Sequence, residues 1–313
     1  MIKIDLVTGF LGAGKTTFLK KYAAWCMAQG ESVCILENDM GAVNVDLMLL
    51  SELMEAGCDM ETVAGGCDPD THRRRFRTKL ISMAMYGYNR VIVEPSGIFD
   101  MDEFFDTLRD EPLDRMYEIG SIIAITEPEI PADLPEISGF VLASEVSCAG
   151  ILLPSRIEAG TISDKDVGVT QPGISATISD NIAASLNAYL QEIKCSRRIS
   201  SSQILVKNWD ELTDEDMERI RDASYYISDY EKHSEAFEHA YDARYFFNVH
   251  MTPDELRSWI EETFADPANS GISRIKGFIP DGDSWWEVNA TRDNISITPA
   301  ERGQEIIIVI GEK

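Results

Sequence analysis

Residues 9 to 16 read Gly-Phe-Leu-Gly-Ala-Gly-Lys-Thr, which fits the full phosphate-loop form G-x-x-x-x-G-K-[ST]. The chemistry open to such a run is narrow. Gly9, Gly12, Ala13 and Gly14 carry so little side chain that successive backbone N–H groups can curl around phosphate oxygens. A helix starting at the lysine adds unpaired N–H donors and a partial positive charge. Lys15 is expected to reach the β- and γ-phosphates. The Thr16 hydroxyl, with Thr17 next in the same nucleotide-binding run, is expected to complete the shell of a Mg²⁺ ion. The motif specifies a nucleoside triphosphate and leaves the base open.

A second stretch, Arg90 to Asp100, reads RVIVEPSGIFD. It has the shape of an internal strand ending in an acid, and ligands of open α/β sheets gather at the carboxyl ends of strands. Glu94 is therefore expected in the crevice that holds the phosphates, organising Mg²⁺ through water or polarising the attacking water. Ser96 and Gly97 form the adjacent turn, where a backbone N–H can touch the γ-phosphate. The stretch ILENDMG, Ile35 to Gly41, ends a further strand in Glu37, Asn38 and Asp39. Asp39 is the preferred residue for a nucleotide-responsive loop and joins Lys15 and Glu94 in the expected catalytic set. A structural turn fits the same residues.

The elements that must position these groups alternate. Strand-like runs cover 2–8, 32–37, 90–94, 120–126 and 150–153. Helical patterns cover 15–29, 45–55, 71–85 and 102–109. In the first helix, Phe18, Tyr22 and Cys26 recur every four residues. This alternation implies an α/β phosphate-loop NTPase fold, with a mostly parallel sheet covered by helices on both faces. Residues 158–172 read as a loop and 178–191 as a helix. Residues 204–206 suggest one more strand. A cap signal at Thr213-Asp214-Glu215-Asp216 starts a helix expected to run to about Tyr226.

Composition then shifts. Thr252-Pro253-Asp254-Glu255 is a strong helix start, and Leu256, Ile260 and Phe264 give it one apolar stripe. Short strand-like runs at 244–249, 272–279, 285–289, 294–298 and 304–310 are separated by turns such as Pro280-Asp281-Gly282-Asp283. Two domains are expected: a nucleotide-binding domain over 1–235 and a smaller α+β domain over 241–313.

The 313 residues are 44% hydrophobic and carry 54 acidic side chains against 28 Lys plus Arg, a net charge of −26. Such a surface repels nucleic acid and anionic membranes and tolerates a cationic metal. The first residues already form the phosphate-binding strand, so no removable leader is expected. No run of 18 apolar residues suggests a membrane span. The six cysteines form no CxxC pair, which fits free thiols in a reducing cytoplasm.

With these residues in hand, the chain resembles the CobW-type metal-trafficking GTPases. They belong to the phosphate-loop class that also holds the hydrogenase and urease nickel-insertion GTPases. VTGFLGAGKTT, Val7 to Thr17, is similar to the family's opening motif. Residues 37–41 stand where the family has asparagine–glutamate–x–glycine, with Asp39 replacing the glutamate. VEPSG, Val93 to Gly97, matches its glutamate–x–serine–glycine element. RIKGF at 274–278 and GQEIIIVIG at 303–311 resemble the two ends of its C-terminal domain.

The resemblance implies a Mg²⁺-dependent GTPase of slow intrinsic rate, acting as a metallochaperone or cofactor-loading switch. It also implies a client metalloprotein or cofactor-dependent enzyme as partner, and a possible homodimer. Two departures stand against it. The family carries Gly-Cys-x-Cys-Cys; here the segment is Gly66-Cys67-Asp68-Pro69-Asp70. Cys67 with Asp68, Asp70 and His72 makes a mixed S/O/N set suited to Zn²⁺, Co²⁺ or Ni²⁺, while Pro69 stiffens the loop. A loop that binds no metal is equally compatible, and nothing in the spacing requires Cys58.

The family also reads guanine with Asn-Lys-x-Asp, whereas here the strand at 150–153 runs into Pro154-Ser155-Arg156-Ile157. The candidates for that role are Glu158 and, about 50 residues on, Asp210 of Lys207-Asn208-Trp209-Asp210, whose order and chain position differ from the motif, so GTP and ATP both stay open. The basic run His72-Arg73-Arg74-Arg75-Phe76-Arg77 fits a solvated helix face, with Arg73 at a position where the family has an arginine. Two rival readings remain: a metal-independent switch that binds a client, and a small-molecule kinase.

Overall fold

The computed structural model describes residues 1–10, 12–39, 51–64, 69–95, 101–157, 174–231, 241–282, 284–292, 294–301 and 303–312. The chain divides into two compact units, which the described residues represent by 1–39 and 52–231 in one and by 51 and 241–312 in the other. The first is built on β1 (Ile2–Thr8), β2 (Val33–Asp39), β3 (Asp59–Ala64), β4 (Arg90–Pro95), β5 (Tyr117–Thr126) and β6 (Ile151–Pro154). They form one sheet in the order β3-β2-β4-β1-β5-β6, and every pairing is parallel. The intervening helices are α1 (Lys15–Ala28), α2 (Ser51–Glu55), α3 (Pro69–Met83), α4 (Met101–Arg109), α5 (Leu113–Met116), α6 (Glu136–Cys148), α7 (Ile174–Glu192) and α8 (Asp214–Arg221).

The central strands are continuous apolar runs because helices cover both faces of the sheet. All six residues of β4 are buried, as are the last five of β1. Asp5 breaks the rule. It sits fully buried in β1 and accepts from Arg90 of β4, from the Tyr22 hydroxyl at 2.8 Å and from the Ser121 N–H at 2.8 Å. Arg90 donates its Nε to Glu31 at 2.6 Å. A buried charge survives only when paired and hydrogen-bonded, and this cluster ties the three strands β1, β4 and β5 to α1.

Three elements were not among the expected ones: the short α5, and β3 and α6. β3 is an edge strand in which Val63 alone is firmly buried among 59–63; its polar alternation becomes a strand through pairing with β2. α6 is buried at every position from Ser138 to Cys148, and a helix packed all round has no polar face to produce a 3.6-residue period. Its last carbonyls are held by Arg197, which donates to the oxygens of Val146 at 2.9 Å and Ala149 at 2.6 Å.

Elsewhere the differences are of length. The expected strand at 204–206 is one parallel bridge from Ile204 to Leu152. The expected helix to Tyr226 ends at Arg221, ahead of Ser224 at a φ of 62°. Of the expected helix at 45–55, only Ser51–Glu55 is described, and the loop at 158–172 lies outside the described residues.

The second unit holds β7 (Tyr241–Phe247), α9 (Pro253–Ala265), β8 (Ile272–Asp281), β9 (Ser284–Ala290), β10 (Ile295–Ala300) and β11 (Ile306–Glu312). Its sheet is antiparallel, in the order β10-β9-β8-β11-β7. α9 lays Leu256 and Ile260 against Ile275, Ile279, Val288 and Val309. Thr252 caps it as expected, with Glu255 N–H donating to the Thr252 hydroxyl and the Glu255 carboxylate accepting from Thr252 N–H at 2.8 Å. Among the described residues, no helix is long and apolar enough to cross a membrane.

Candidate functional site

β1 carries the chain to Thr8, and Gly9 leaves it at a φ of 142°. A Cβ on Gly9 would stand 2.3 Å from the Ile125 carbonyl oxygen of the neighbouring β5, so only glycine permits this departure. Gly12 and Ala13 are buried within the loop. Gly14 then caps α1 in the left-handed region, at a φ of 103°. The Lys15 ammonium turns back to donate to the Gly9 carbonyl oxygen at 2.7 Å. Phosphate oxygens compete with such a carbonyl for the same cation.

Thr16 donates its hydroxyl to Glu94 Oε1 at 2.8 Å. The two residues lie 78 apart in sequence, and the parallel pairing of β1 with β4 puts the loop that follows β1, and the start of α1 after it, at the same sheet edge as the end of β4. Their oxygens form the hard donor set that Mg²⁺ prefers, so the residues present fit that ion. Thr17 is exposed on α1. In the β2–β4 register Glu37 stands beside Glu94, on the same face, because paired residues of adjacent strands point the same way. Asn38 follows it, buried, with neither side-chain polar atom hydrogen-bonded. Asp39 ends β2, but its side chain lies outside the described residues, as do Ser96 and Gly97.

The other flank of the loop is formed where β6 ends. Arg156, at a φ of 55°, donates Nη2 to the Gly12 carbonyl at 2.8 Å and Nη1 to Glu127 at 2.7 Å. Asn208 donates to the Ile157 carbonyl at 2.7 Å and caps a short 3₁₀ turn, Trp209–Glu211. The Trp209 indole lies over the loop, so a Cβ on Gly14 would be 3.2 Å from it. It packs edge-on to Phe18 with ring centroids 5.5 Å apart. Asp210 turns outward, 80% exposed, and pairs with Lys21 at 2.5 Å. Glu158 lies outside the described residues. Sequence reasoning weighed Asp210 and missed Trp209; the signal was a large aromatic between two polar residues, in a segment whose order matched no base motif.

Cys67 and Asp68 lie outside the described residues, and Asp70 is described only as backbone in the first turn of α3. His72, 2% exposed, sets Nδ1 3.5 Å from Glu103 Oε1 of α4, and its Nε2 is buried without a hydrogen-bond partner. One ring nitrogen facing a carboxylate while the other is open is the arrangement of metal-ligating histidines. The rest of the basic run joins α3 to α4: Arg73 pairs with Asp106 at 3.8 Å and Phe76 is fully buried. Cys58 is 3% exposed and burial pushes its thiol up to about 11, which keeps it protonated and a poor ligand. No group of three or more His, Cys, Asp or Glu is assembled for a metal among the described residues.

Glu145 of α6 was not foreseen. It is fully buried within α6. The Thr8 hydroxyl faces it, outside hydrogen-bond geometry, and Lys15 acts on it as the nearby charge. Burial pushes its carboxyl up to about 8 despite the opposing pull of Lys15.

Residues 3–216 match the family model described as CobW/HypB/UreG, nucleotide-binding domain. The zinc chaperone YeiR of Escherichia coli (strain K12) is 24% identical over 162 residues, 51% of this chain and 48% of that protein. The zinc chaperone YjiA of the same strain is 26% identical over 172 residues, 52% of each. The chain thus matches about half the length of these curated relatives. A solved structure of Zn(II)-bound YjiA GTPase from E. coli aligns with all of this chain and 94% of that one, at 16% identity and a TM-score of 0.38. Hydrogenase maturation factor HypB from Archaeoglobus fulgidus aligns with 67% of this chain and 82% of its own, at 10% identity and a TM-score of 0.37.

Proposed function

The chain belongs to the CobW/HypB/UreG family, and from that membership and its loop geometry we propose that it is a GTP-hydrolysing metallochaperone switch. The observation that carries this reading is the Thr16–Glu94 hydrogen bond at 2.8 Å beside the ammonium of Lys15. It sets a cation-binding hydroxyl, a carboxylate and a phosphate-seeking cation at one strand-end crevice. The cargo is a divalent ion of the Zn²⁺, Co²⁺ or Ni²⁺ class, held by Cys67 with Asp68, Asp70 and His72. Glu103 fixes the His72 ring so that Nε2 faces the ion. The partner is a client metalloprotein or cofactor-dependent enzyme.

In the reaction, the loop N–H groups of 9–16 and Lys15 bind the β- and γ-phosphates, and Lys15 exchanges the Gly9 carbonyl for phosphate oxygen. Thr16 and Glu94 would hold Mg²⁺, which supplies charge neutralisation on the phosphates when bound. Water attacks the γ-phosphorus and the bond to the β–γ bridging oxygen breaks; Glu94 orients the water and accepts its proton. Asp39, at the end of β2, senses the γ-phosphate and passes its presence to the metal loop. On the base side, Trp209 and the Arg156 tether form the wall, and GTP is the preferred nucleotide.

One observation favours a metal-independent switch: a single thiol, Cys67, remains in the loop and Cys58 is buried and protonated. The primary test is phosphate release from Mg²⁺–GTP and Mg²⁺–ATP, with Lys15→Ala as control. Slow release that is faster with GTP and lost in the variant is expected. Release unaffected by Lys15→Ala would overturn the assignment, and phosphate appearing on an added acceptor would make the chain a kinase.

A further inference from the structure

We propose that the base of the nucleotide is held by its face, stacked on the Trp209 indole, so that the site takes both purine nucleoside triphosphates, with GTP ahead of ATP by less than about tenfold. The proposal rests on the nucleotide reading above and deepens it, because the end of β6 carries no aspartate to read the guanine edge: it runs Pro154-Ser155-Arg156-Ile157.

The sheet order fixes the flank on which the base lies. Thr16 and Glu94 set the Mg²⁺ end of the site at the edge of β4, and β5 and β6 stand on the other side of β1. The nucleotide therefore leaves the loop over the ends of β5 and β6. Two segments far apart in sequence close that flank. Asn208 donates to the Ile157 carbonyl at 2.7 Å, which joins the end of β6 to the turn Trp209–Glu211. Arg156 Nη2 donates to the Gly12 carbonyl at 2.8 Å. A Cβ on Gly14 would stand 3.2 Å from the Trp209 ring and 3.6 Å from Ser155 Cβ. The indole is thus seated on the residue before Lys15.

These groups offer a flat surface and no carboxylate edge. Trp209 is half-buried, and its ring stands edge-on to the fully buried Phe18 at 5.5 Å. Its Nε1 has no hydrogen-bond partner, so packing alone sets the direction of the ring. Ser155 is 2% exposed, and its hydroxyl likewise has no partner; a nucleotide brings donors and acceptors that can satisfy it. Glu127 pairs with Arg156 and Asp210 with Lys21, so neither is open to accept from the N1–H and amino group of guanine. Stacking on an aromatic ring tolerates any base, because every base has a π-face. A site rejects the wrong base strongly only when its own polar groups would be left unpaired.

Calorimetry measures the affinity of the Mg²⁺ complexes of GTP, ATP and tripolyphosphate, which carries the phosphates without a base, for wild type, Trp209→Ala and Trp209→Phe. Trp209→Ala is expected to lose about 5- to 150-fold for GTP and for ATP, and to change tripolyphosphate by less than about twofold. Trp209→Phe is expected to keep most of the affinity. Tryptophan emission of the wild type gives a second reading if Trp209→Ala folds poorly: GTP should quench it and tripolyphosphate should not. Equal losses for all three ligands would make Trp209 a support of the loop and overturn the proposal. Unchanged GTP affinity in Trp209→Ala, equal quenching by GTP and tripolyphosphate, or a wild-type preference for GTP above about tenfold would overturn it too. Wild type that binds neither GTP nor tripolyphosphate would instead overturn the nucleotide reading itself.

Discussion

Arg90→Met removes a guanidinium that serves two carboxylates at once, Asp5 at 2.5 Å and Glu31 at 2.6 Å. The two acids differ in what they lose. The Glu31 side chain is 22% exposed and regains water, whereas that of Asp5 is 0% exposed and cannot. Asp5 keeps two neutral donors, the Tyr22 hydroxyl and the Ser121 N–H. Breaking one side of a buried pair costs roughly 3–5 kcal/mol, and the surviving donors place this case near the lower end, about 3 kcal/mol. For a unit of this size each kcal/mol moves the midpoint by about 2–4 °C, a loss of about 6–12 °C. Urea unfolding followed by tryptophan fluorescence and far-ultraviolet circular dichroism measures the first figure; calorimetry measures the second. Adding Asp5→Asn removes the stranded charge and should restore more than half of the loss. A cost below about 1 kcal/mol, or a double variant no more stable than Arg90→Met alone, would refute the view that Arg90 compensates a buried charge.

Glu94→Gln keeps the size of the side chain and removes its charge, and should lower single-turnover phosphate release by about 10²-fold with much smaller change in nucleotide affinity; a wild-type rate would move the proton-accepting role elsewhere. Gly9→Ala places a methyl 2.3 Å from the Ile125 carbonyl oxygen, and should cost more than about tenfold in nucleotide affinity by calorimetry, whereas undiminished binding would show that the loop does not need this departure. Titration with Co²⁺ should give a sulfur-to-metal absorbance band that is absent in Cys67→Ser, weaker in His72→Phe and stronger with GTP than with GDP; no band in any state would retire the metal reading. Glu145 has a folded pKa of about 8 against an ordinary 4.5, so its stability contribution is full below the lower value and is lost as pH rises toward the upper one. Glu145→Gln should therefore raise the melting midpoint more at pH 9 than at pH 5, and equal shifts at both would show that the carboxyl does not titrate on unfolding.

What could be read from the chain alone was local chemistry. The phosphate loop spans eight consecutive residues, the Thr252–Glu255 cap spans four, and the strands β1 and β4 are apolar runs bounded by turn residues. In each case the residues that make the feature are neighbours, and their backbone demands are written in adjacent positions. The parallel α/β order followed from the same local alternation, and with it the expectation that Glu94 ends beside Thr16.

Tertiary structure decided where contacts come from far apart in the chain. β3 is a strand because β2 pairs with it. Trp209 reaches Gly14, 195 positions away, and Arg156 reaches Gly12 across 144. α6 is buried on every side, so no period betrayed it, and only the fold shows that a glutamate within it, Glu145, is fully buried. Cys58 and His72 likewise had ligand chemistry by type; packing gave one a raised thiol pKa and the other a carboxylate at Nδ1. Residue type and spacing name the groups that can do chemistry. Burial and long-range pairing set their charge, direction and partners, because solvation energy depends on what surrounds a group and the neighbouring sequence does not record it.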